Sequence, residues 1–80
     1  MIKARVTVTL KKGVLDPQGK AIEGALGSLG FSGVDSVRQG KVFDVVLNHD
    51  DKAKAEAEIK GMCEKLLANM VIEDFSVELK

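Results

Sequence analysis

The stretch IKARVTVTL, residues 2–10, decides the fold, because its apolar and polar residues alternate strictly. One set of positions is aliphatic: Ile2, Ala4, Val6, Val8 and Leu10. The other set is charged or hydroxylated: Lys3, Arg5, Thr7, Thr9 and Lys11. A period of two with one polar face is typical of an antiparallel strand that is buried on one side. We therefore predict that the chain opens with a half-buried strand.

A helix is predicted next. Asp16 is a favourable N-cap, and Pro17 suits the first helical position because an N–H there has no intrahelical partner. Apolar residues then recur at helical spacing, at Ile22, Ala25, Leu26 and Leu29. Gly30 follows where a residue in the left-handed conformation commonly ends a helix.

The rest of the chain predicts two strands, a helix and a final strand. Residues 34–39 and 42–48 are predicted strands, joined by a tight hairpin at Gly40-Lys41. A longer helix is predicted from a cap at Asp50 or Asp51 to about Ala68, with a left-handed turn at Asn69, before a strand over residues 71–79. The inner face of this helix is predicted to be apolar: Ala55, Ile59, Met62, Cys63, Leu66 and Leu67.

This order of elements predicts an α+β, ferredoxin-like βαββαβ fold in one domain, residues 1–80. We expect a four-stranded antiparallel sheet with both helices on one face. The opposite face is expected to be mixed in character: Lys3, Arg5, Thr7, Thr9, Val42, Asp44, Val46, Ser76 and Glu78. Two interpretations stay open for it, a solvated face or a partly buried contact with another protein.

Composition narrows the classes of function. Twelve basic residues balance twelve acidic residues, and Trp and Tyr are absent, which argues against a nucleic-acid-binding surface. No apolar run approaches the roughly 20 residues that span a bilayer, and a single cysteine fits a reducing cytoplasm. A chain of 80 residues builds a small core, and neither a disulfide nor a metal site is evident to support it. Self-association is the remaining support that we expect.

No catalytic constellation stands out. Cys63 lies among aliphatic positions, where a thiol behaves as a small hydrophobic group and has a raised pKa. His49 has no second His or Cys at metal-ligand spacing, and no glycine-rich phosphate loop occurs. The residues therefore favour a binding or scaffolding module without a cofactor or metal of its own.

Two long stretches carry a more specific signal. The first runs V-T-L-K-K-G-V-L-D-P-Q-G-K-A-I over residues 8–22 and is followed by V-R-Q-G-K at residues 37–41. The second is C-E-K-L-L-A-N-M-V-I-E-D-F at residues 63–75. Together they closely resemble the PurS family, the small subunit of bacterial phosphoribosylformylglycinamidine synthase, at matching spacing and length. One departure is Met70, which stands where that family usually has proline.

The resemblance implies a role without catalysis in the fourth step of purine synthesis. In the family, a glutaminase subunit releases ammonia and a large subunit uses it in an amidation that consumes ATP with Mg²⁺. The PurS chain joins the two subunits and is expected to be a homo-oligomer, a dimer or a dimer of dimers. The residues alone also allow a stand-alone dimeric ferredoxin-like sensor of a small molecule, or a minor enzyme with an unseen site.

Contacts with protein partners are predicted in three places. The first is the loop before the first helix, with Val14 and Gln18, and the second is the basic hairpin with Arg38 and Lys41. The third is the uncovered sheet face: Thr7, Thr9, Val42 and Val46. Leu15 has two interpretations. It either packs back on the first helix as a hydrophobic staple or projects as a docking residue.

Overall fold

The computed structural model describes all 80 residues. Its elements follow in the order β1 (Ile2–Leu10), α1 (Pro17–Ser28), β2 (Gly40–Leu47), α2 (Lys52–Met62), a π-helical turn (Cys63–Leu67) and β3 (Glu73–Leu79). None of the helices combines the length and the apolar composition that crossing a bilayer requires.

The sheet has three antiparallel strands in the order β2-β1-β3. The central position of β1 follows from its alternation, because Val6 faces Phe43 on one side and Val77 on the other. The aliphatic positions of β1 point to the inner face, where Ile2, Ala4, Val6 and Val8 are buried. The half-buried strand predicted at residues 2–10 is therefore confirmed.

The prediction of a four-stranded sheet is wrong, because residues 34–39 form no strand. Backbone N–H groups that would form ladder hydrogen bonds in a strand donate instead to two carboxylates. The N–H of Val37 donates to Glu23 Oε2 at 3.1 Å, and the N–H of Gln39 donates to Asp16 Oδ2 at 2.9 Å. The segment is instead bound to α1 and to the loop before it.

The predicted hairpin at Gly40-Lys41 is also wrong, since both residues begin β2. Gly40 pairs with Thr9 at the end of the ladder. A Cβ atom at position 40 would lie 2.7 Å from the carbonyl oxygen of Val8, so glycine permits this close approach of the two strands.

The core lies between the inner sheet face and α2. Its fully buried side chains come from both layers and include Ile59 of α2 and Cys63 of the π-helical turn beside Val6 and Val8 of β1. Asp51 caps α2 by accepting from the N–H of Lys54 at 3.1 Å, as one of the two predicted caps. Leu66, predicted to be inward, is 83% exposed. The π-helical turn widens the helix there and rotates this residue away from the sheet.

After the π-helical turn the chain reverses at Asn69, but not by the left-handed turn that was predicted there. No residue other than glycine has a positive φ, so the left-handed turn at Asn69 is wrong. Its side-chain oxygen accepts instead from the N–H of Val71 at 3.1 Å, and its own N–H donates to Glu73 Oε1 at 2.7 Å. An Asx turn of this kind reverses the chain without left-handed backbone.

Helix α1 does not cover the sheet, so the prediction of two helices packed on one face is wrong as well. Ile22 is 39% and Leu29 is 73% exposed. The helix ends as predicted, with Gly30 at a φ of 97° and the N–H of Phe31 donating to the carbonyl of Leu26 at 3.0 Å. The radius of gyration is 16.1 Å, whereas a globular chain of this length has about 12 Å.

Candidate docking site

A buried carboxylate organises the loop between β1 and α1. The side chain of Asp16 caps α1 by accepting from the N–H of Gly19 at 2.8 Å, and it also accepts from the N–H of Gln39 at 2.9 Å. These backbone N–H groups, that of Gln39 foremost, lower the pKa of Asp16 from its ordinary value. One side chain thus ties residues 13–19 to residues 35–39, and we refer to these two segments together as the Asp16 junction.

Arg38 strengthens the same junction from its other side. Its guanidinium donates to three backbone carbonyl oxygens, those of Leu10 at 3.3 Å, Lys11 at 3.2 Å and Val14 at 3.4 Å. Five N–H donors in a fixed plane suit such a contact. Arg38 therefore holds the loop before α1 in place through the loop's backbone.

Close packing completes the junction. A Cβ atom at Gly19 would lie 2.5 Å from the carbonyl oxygen of Val37, so the first turn of α1 sits directly against residues 35–39. Glu23, one turn further along α1, accepts from the N–H of Val37 and lies 3.7 Å from Lys20. The orientation of α1 is thus fixed at its N-terminal end.

The junction presents an exposed leucine. Leu15 is 73% exposed and lines an open pocket of about 330 Å³, together with Val14 and Arg38. Its exposure excludes the hydrophobic staple, in which Leu15 would pack against α1. Val14 is half-buried, so the more accessible apolar side chain at this site is that of Leu15.

Gln18 and Lys41 line a neighbouring pocket of about 240 Å³ at the end of the sheet. The ammonium of Lys41 lies 3.8 Å from Glu73 and 5.8 Å from the centre of the Phe43 ring, which is within reach of a cation–π contact. The structure thus brings Val14, Gln18, Arg38 and Lys41 to one end of the molecule, although the sequence analysis treated the loop and the basic segment as separate contacts.

The outer sheet face carries the other predicted residues. Val42 and Val46 are 56% and 54% exposed, and Thr7 pairs with Val42 while Thr9 pairs with Gly40. Between them Arg5 donates to Asp44 at 2.9 Å, a bond that raises the pKa of Arg5 and lowers the pKa of Asp44. This face is separate from the Asp16 junction and combines two exposed valines with an ion pair.

Sequence reasoning missed two contributions to this site. Asp16 was recognised as a helix cap but not as the acceptor for Gln39, which lies 23 residues away. Glu23 was not recognised at all, and it accepts from Val37, which lies 14 residues away. No local pattern marks either contact, because both depend on where the chain returns after α1.

The titratable side chains in the rest of the molecule form no reactive cluster. Cys63 is fully buried, and its burial raises the pKa of the thiol. His49 Nδ1 accepts from the N–H of Asp51 at 3.2 Å, and His49 Nε2 lies 3.2 Å from Glu58 Oε1. No three His, Cys, Asp or Glu side chains come together as a metal site requires.

Comparison with known proteins places the chain in a family. The model of the family described as PurS, phosphoribosylformylglycinamidine (FGAM) synthase, matches residues 3–80. A relative from Bacillus subtilis, described as phosphoribosylformylglycinamidine synthase subunit PurS, is 45% identical over 80 residues, which are 100% of this chain and 94% of the relative. A relative of the same description from Methanocaldococcus jannaschii is 42% identical over 80 residues, again 100% of this chain and 96% of the relative.

Solved structures agree with this placement. The crystal structure of PurS from B. subtilis has a TM-score of 0.91 at 45% identity, over 100% of this chain and 99% of that chain. A chain in the structure of PurLQS from Thermotoga maritima has a TM-score of 0.89 at 32% identity, over 99% of this chain and 96% of that chain. Because the family model, the relatives and the solved structures all extend over almost the whole chain, this chain belongs to the PurS family of phosphoribosylformylglycinamidine synthase subunits.

Proposed function

We propose that this chain is the non-catalytic subunit that joins a glutaminase subunit to a large synthetase subunit in a phosphoribosylformylglycinamidine synthase complex. Ammonia released from glutamine then reaches the amidation site without escaping into water. ATP and Mg²⁺ are used by the large subunit, and the complex works in the cytoplasm. Membership of the PurS family over residues 3–80 supports this proposal.

The observation that carries the proposal is the rigid Asp16 junction with Leu15 exposed on it. Two carboxylates and one guanidinium bind the backbone of this site, yet its leucine remains 73% exposed. A surface that is already ordered loses less conformational entropy when a partner docks on it. A fixed apolar residue beside polar Gln18 and Lys41 therefore suits a specific protein contact.

The sequence-predicted contact residues have different parts in this proposal. Gln18 and Lys41 meet the partner directly, because both are exposed at the end of the sheet. Val14 is half-buried, and Arg38 acts mainly by holding the loop through the carbonyl oxygen of Val14. We propose that this site receives one of the two partner subunits.

The outer sheet face is proposed as a second contact. Thr7, Thr9, Val42 and Val46 present hydroxyl and aliphatic groups around the Arg5–Asp44 ion pair. Because this face and the Asp16 junction are separate, the chain is able to touch two neighbours at once. We propose that this chain forms a homo-oligomer, a dimer or a dimer of dimers, around which the two partner subunits are arranged.

A double substitution tests the docking role. Leu15→Glu with Gln18→Glu places two charges on the junction, and Gln18→Glu adds a negative charge in the first turn of α1, where it favours the helix. The variant is expected to remain folded by circular dichroism. Glutamine-dependent synthesis by the reconstituted complex should fall at least about tenfold, the loss expected when a buried leucine contact is removed. Synthesis from added ammonia should be unchanged, since ammonia then bypasses the glutaminase.

Leu66→Glu is the matched control, because Leu66 is a similarly exposed leucine on another part of the surface. It should leave both rates unchanged. Full glutamine-dependent synthesis by the two partner subunits without this chain would refute the proposed function. Undiminished assembly of the Leu15→Glu, Gln18→Glu variant would refute the role of the junction.

A further inference from the structure

A small polar cavity lies at the end of the inner sheet face, beside the Asp16 junction. It lies against Val8 and Leu10 of β1, and its polar walls are formed by Asp16, Gln18, Gln39, Lys41 and Glu73. Its volume is about 240 Å³, which is below the roughly 300–1,000 Å³ of sites that take drug-sized ligands. The cavity therefore suits a small polar metabolite better than a nucleotide.

Two opposite charges face each other across this cavity. Lys41 pairs with Val8 in the ladder and Glu73 pairs with Leu10, so the two charged side chains reach over the central strand from opposite sides. Lys41 Nζ lies 3.8 Å from Glu73 Oε2, which is too far for a hydrogen bond. The other oxygen of this carboxylate, Oε1, accepts from the N–H of Asn69 at 2.7 Å. Nζ and Oε2 are thus a donor and an acceptor that remain available to a ligand.

The third charge of the cavity, that of Asp16, is compensated within the chain. Its two oxygens accept from the N–H groups of Gly19 and Gln39. These N–H groups, that of Gln39 foremost, lower the pKa of Asp16, which means that they stabilise its ionised form. Lys41 and Glu73 therefore decide which charges a ligand needs. Glu73 opposes a ligand that is only anionic, and Lys41 opposes a ligand that is only cationic.

The remaining walls accept polar groups of either kind. Gln18 and Gln39 are exposed, and their carboxamides form no hydrogen bond with the rest of the chain. A carboxamide offers both donors and an acceptor. Val8 and Leu10 supply an aliphatic surface between these polar groups. The cavity thus combines one cation, one anion, two neutral amides and a short apolar wall.

We propose that this cavity binds a free α-amino acid, with the ligand's carboxylate at Lys41 Nζ and its ammonium at Glu73 Oε2. The two charged groups of an amino acid are attached to the same carbon atom, so together they reach a donor and an acceptor that are 3.8 Å apart. Four charges then alternate in sign around the site. A dicarboxylate or a diamine would satisfy only one of the two side chains. The inference goes beyond the proposed function and does not depend on it, because one chain supplies the whole site.

A titration of the wild-type chain tests the proposal. L-Alanine is added while the side-chain NH₂ signals of Gln18 and Gln39 are followed by two-dimensional NMR. Propionate and ethylamine are analogues of similar size that lack the ammonium and the carboxylate respectively. L-Alanine is expected to bind saturably with a Kd of about 1 mM, the affinity that two charge-assisted hydrogen bonds provide in an open site. Each analogue should bind at least about tenfold more weakly.

Two outcomes of this titration would overturn the inference. One is an equal affinity for L-alanine and for either analogue, which would mean that only one charge is recognised. The other is the absence of any change in the two carboxamide signals at millimolar L-alanine. Since the chain is measured without the other subunits, neither outcome bears on the proposed function.

Two variants locate the site. Glu73→Gln keeps an oxygen for the N–H of Asn69 and replaces the free acceptor with an NH₂ group, and Lys41→Gln removes the ammonium. Both should remain folded by circular dichroism, and each should weaken L-alanine binding at least about tenfold. Lys54→Gln is the matched control, since Lys54 lies 3.9 Å from Glu58 in another pair of opposite charges, and it should leave binding unchanged. Undiminished binding by Glu73→Gln or by Lys41→Gln would place the amino acid elsewhere and overturn the inference.

Discussion

Asp16 shows how one residue serves a local and a distant purpose together. As a helix cap it accepts from the N–H of Gly19, three residues along the chain. It also accepts from the N–H of Gln39, 23 residues along, and so links two distant segments. Because each N–H approaches a different oxygen, the full carboxylate is needed for both bonds. The loop that presents Leu15 therefore depends on the ionised form of this one side chain.

This dependence gives a prediction for Asp16→Asn. The amide keeps one acceptor oxygen but its NH₂ group cannot accept from the second N–H, so the Tm at pH 7 should fall by about 5 °C. The pKa of Asp16 is lowered in the folded state, so its stabilisation is present above the unfolded pKa of about 3.9 and is lost as the pH falls through the folded pKa. Thermal melts from pH 7 to pH 2 should show the difference between the wild type and the variant shrinking below about pH 4. A constant difference over this range would contradict the explanation.

At the scale of the element, the π-helical turn decides which side chains α2 directs to the core. A helix that continued regularly after Met62 would place both Leu66 and Leu67 near the sheet. With the wider turn over Cys63–Leu67, Leu67 packs against the core while Leu66 is 83% exposed. The turn thus converts a core position into a surface position just before the chain leaves the helix at Ala68.

Two alanine variants measure this change of register. Leu66→Ala should alter the free energy of unfolding by no more than about 0.5 kcal/mol, because the side chain is already in water. Leu67→Ala should reduce it by about 1–3 kcal/mol, because a partly buried side chain leaves the core. Urea unfolding of both variants provides the comparison, with each serving as the control for the other. Equal losses would mean that the helix continues in regular register.

The elements that the sequence predicted correctly are those specified by local pattern. The alternation of residues 2–10, the cap at Asp16 with Pro17 and the helix end at Gly30 all act within a few residues. The strand predicted at residues 34–39 failed because its N–H groups bind Glu23 and Asp16. That competition depends on tertiary structure, and so does the π-helical turn. The role of Val14, Gln18, Arg38 and Lys41 as contact residues stays a prediction, and the hydrogen bonds of Asp16 and Glu23 that bring them together were not visible in the sequence.

The whole molecule buries few of its residues for an 80-residue chain, because α1 and the sheet do not cover each other. Only 11 of the 80 residues are buried. A small domain with so limited a core gains a large share of its stability from whatever covers its open surfaces. Stability and assembly are therefore linked in this chain.

This linkage predicts a melting temperature that depends on protein concentration. A protein that dimerises only when folded becomes more stable as its concentration rises, and a hundredfold increase should raise the Tm by several degrees. Leu29→Lys places a charge on the side of α1 that the chain itself leaves exposed, so its Tm should be lower and should change less with concentration. Scanning calorimetry of both proteins at matched concentrations provides the test. A wild-type Tm that stays constant would count against an obligate link between folding and assembly.

The absence of a strand at residues 34–39 leaves β2 at the edge of the sheet, with a row of unpaired backbone groups along Gly40–Leu47. An edge strand rich in valine and phenylalanine is a template for fibrous aggregation unless charge interrupts it. Lys41 and Asp44 supply that interruption, and Asp44 is held in place by Arg5. We therefore expect the charges of the Arg5–Asp44 pair to oppose edge-to-edge stacking of newly made chains.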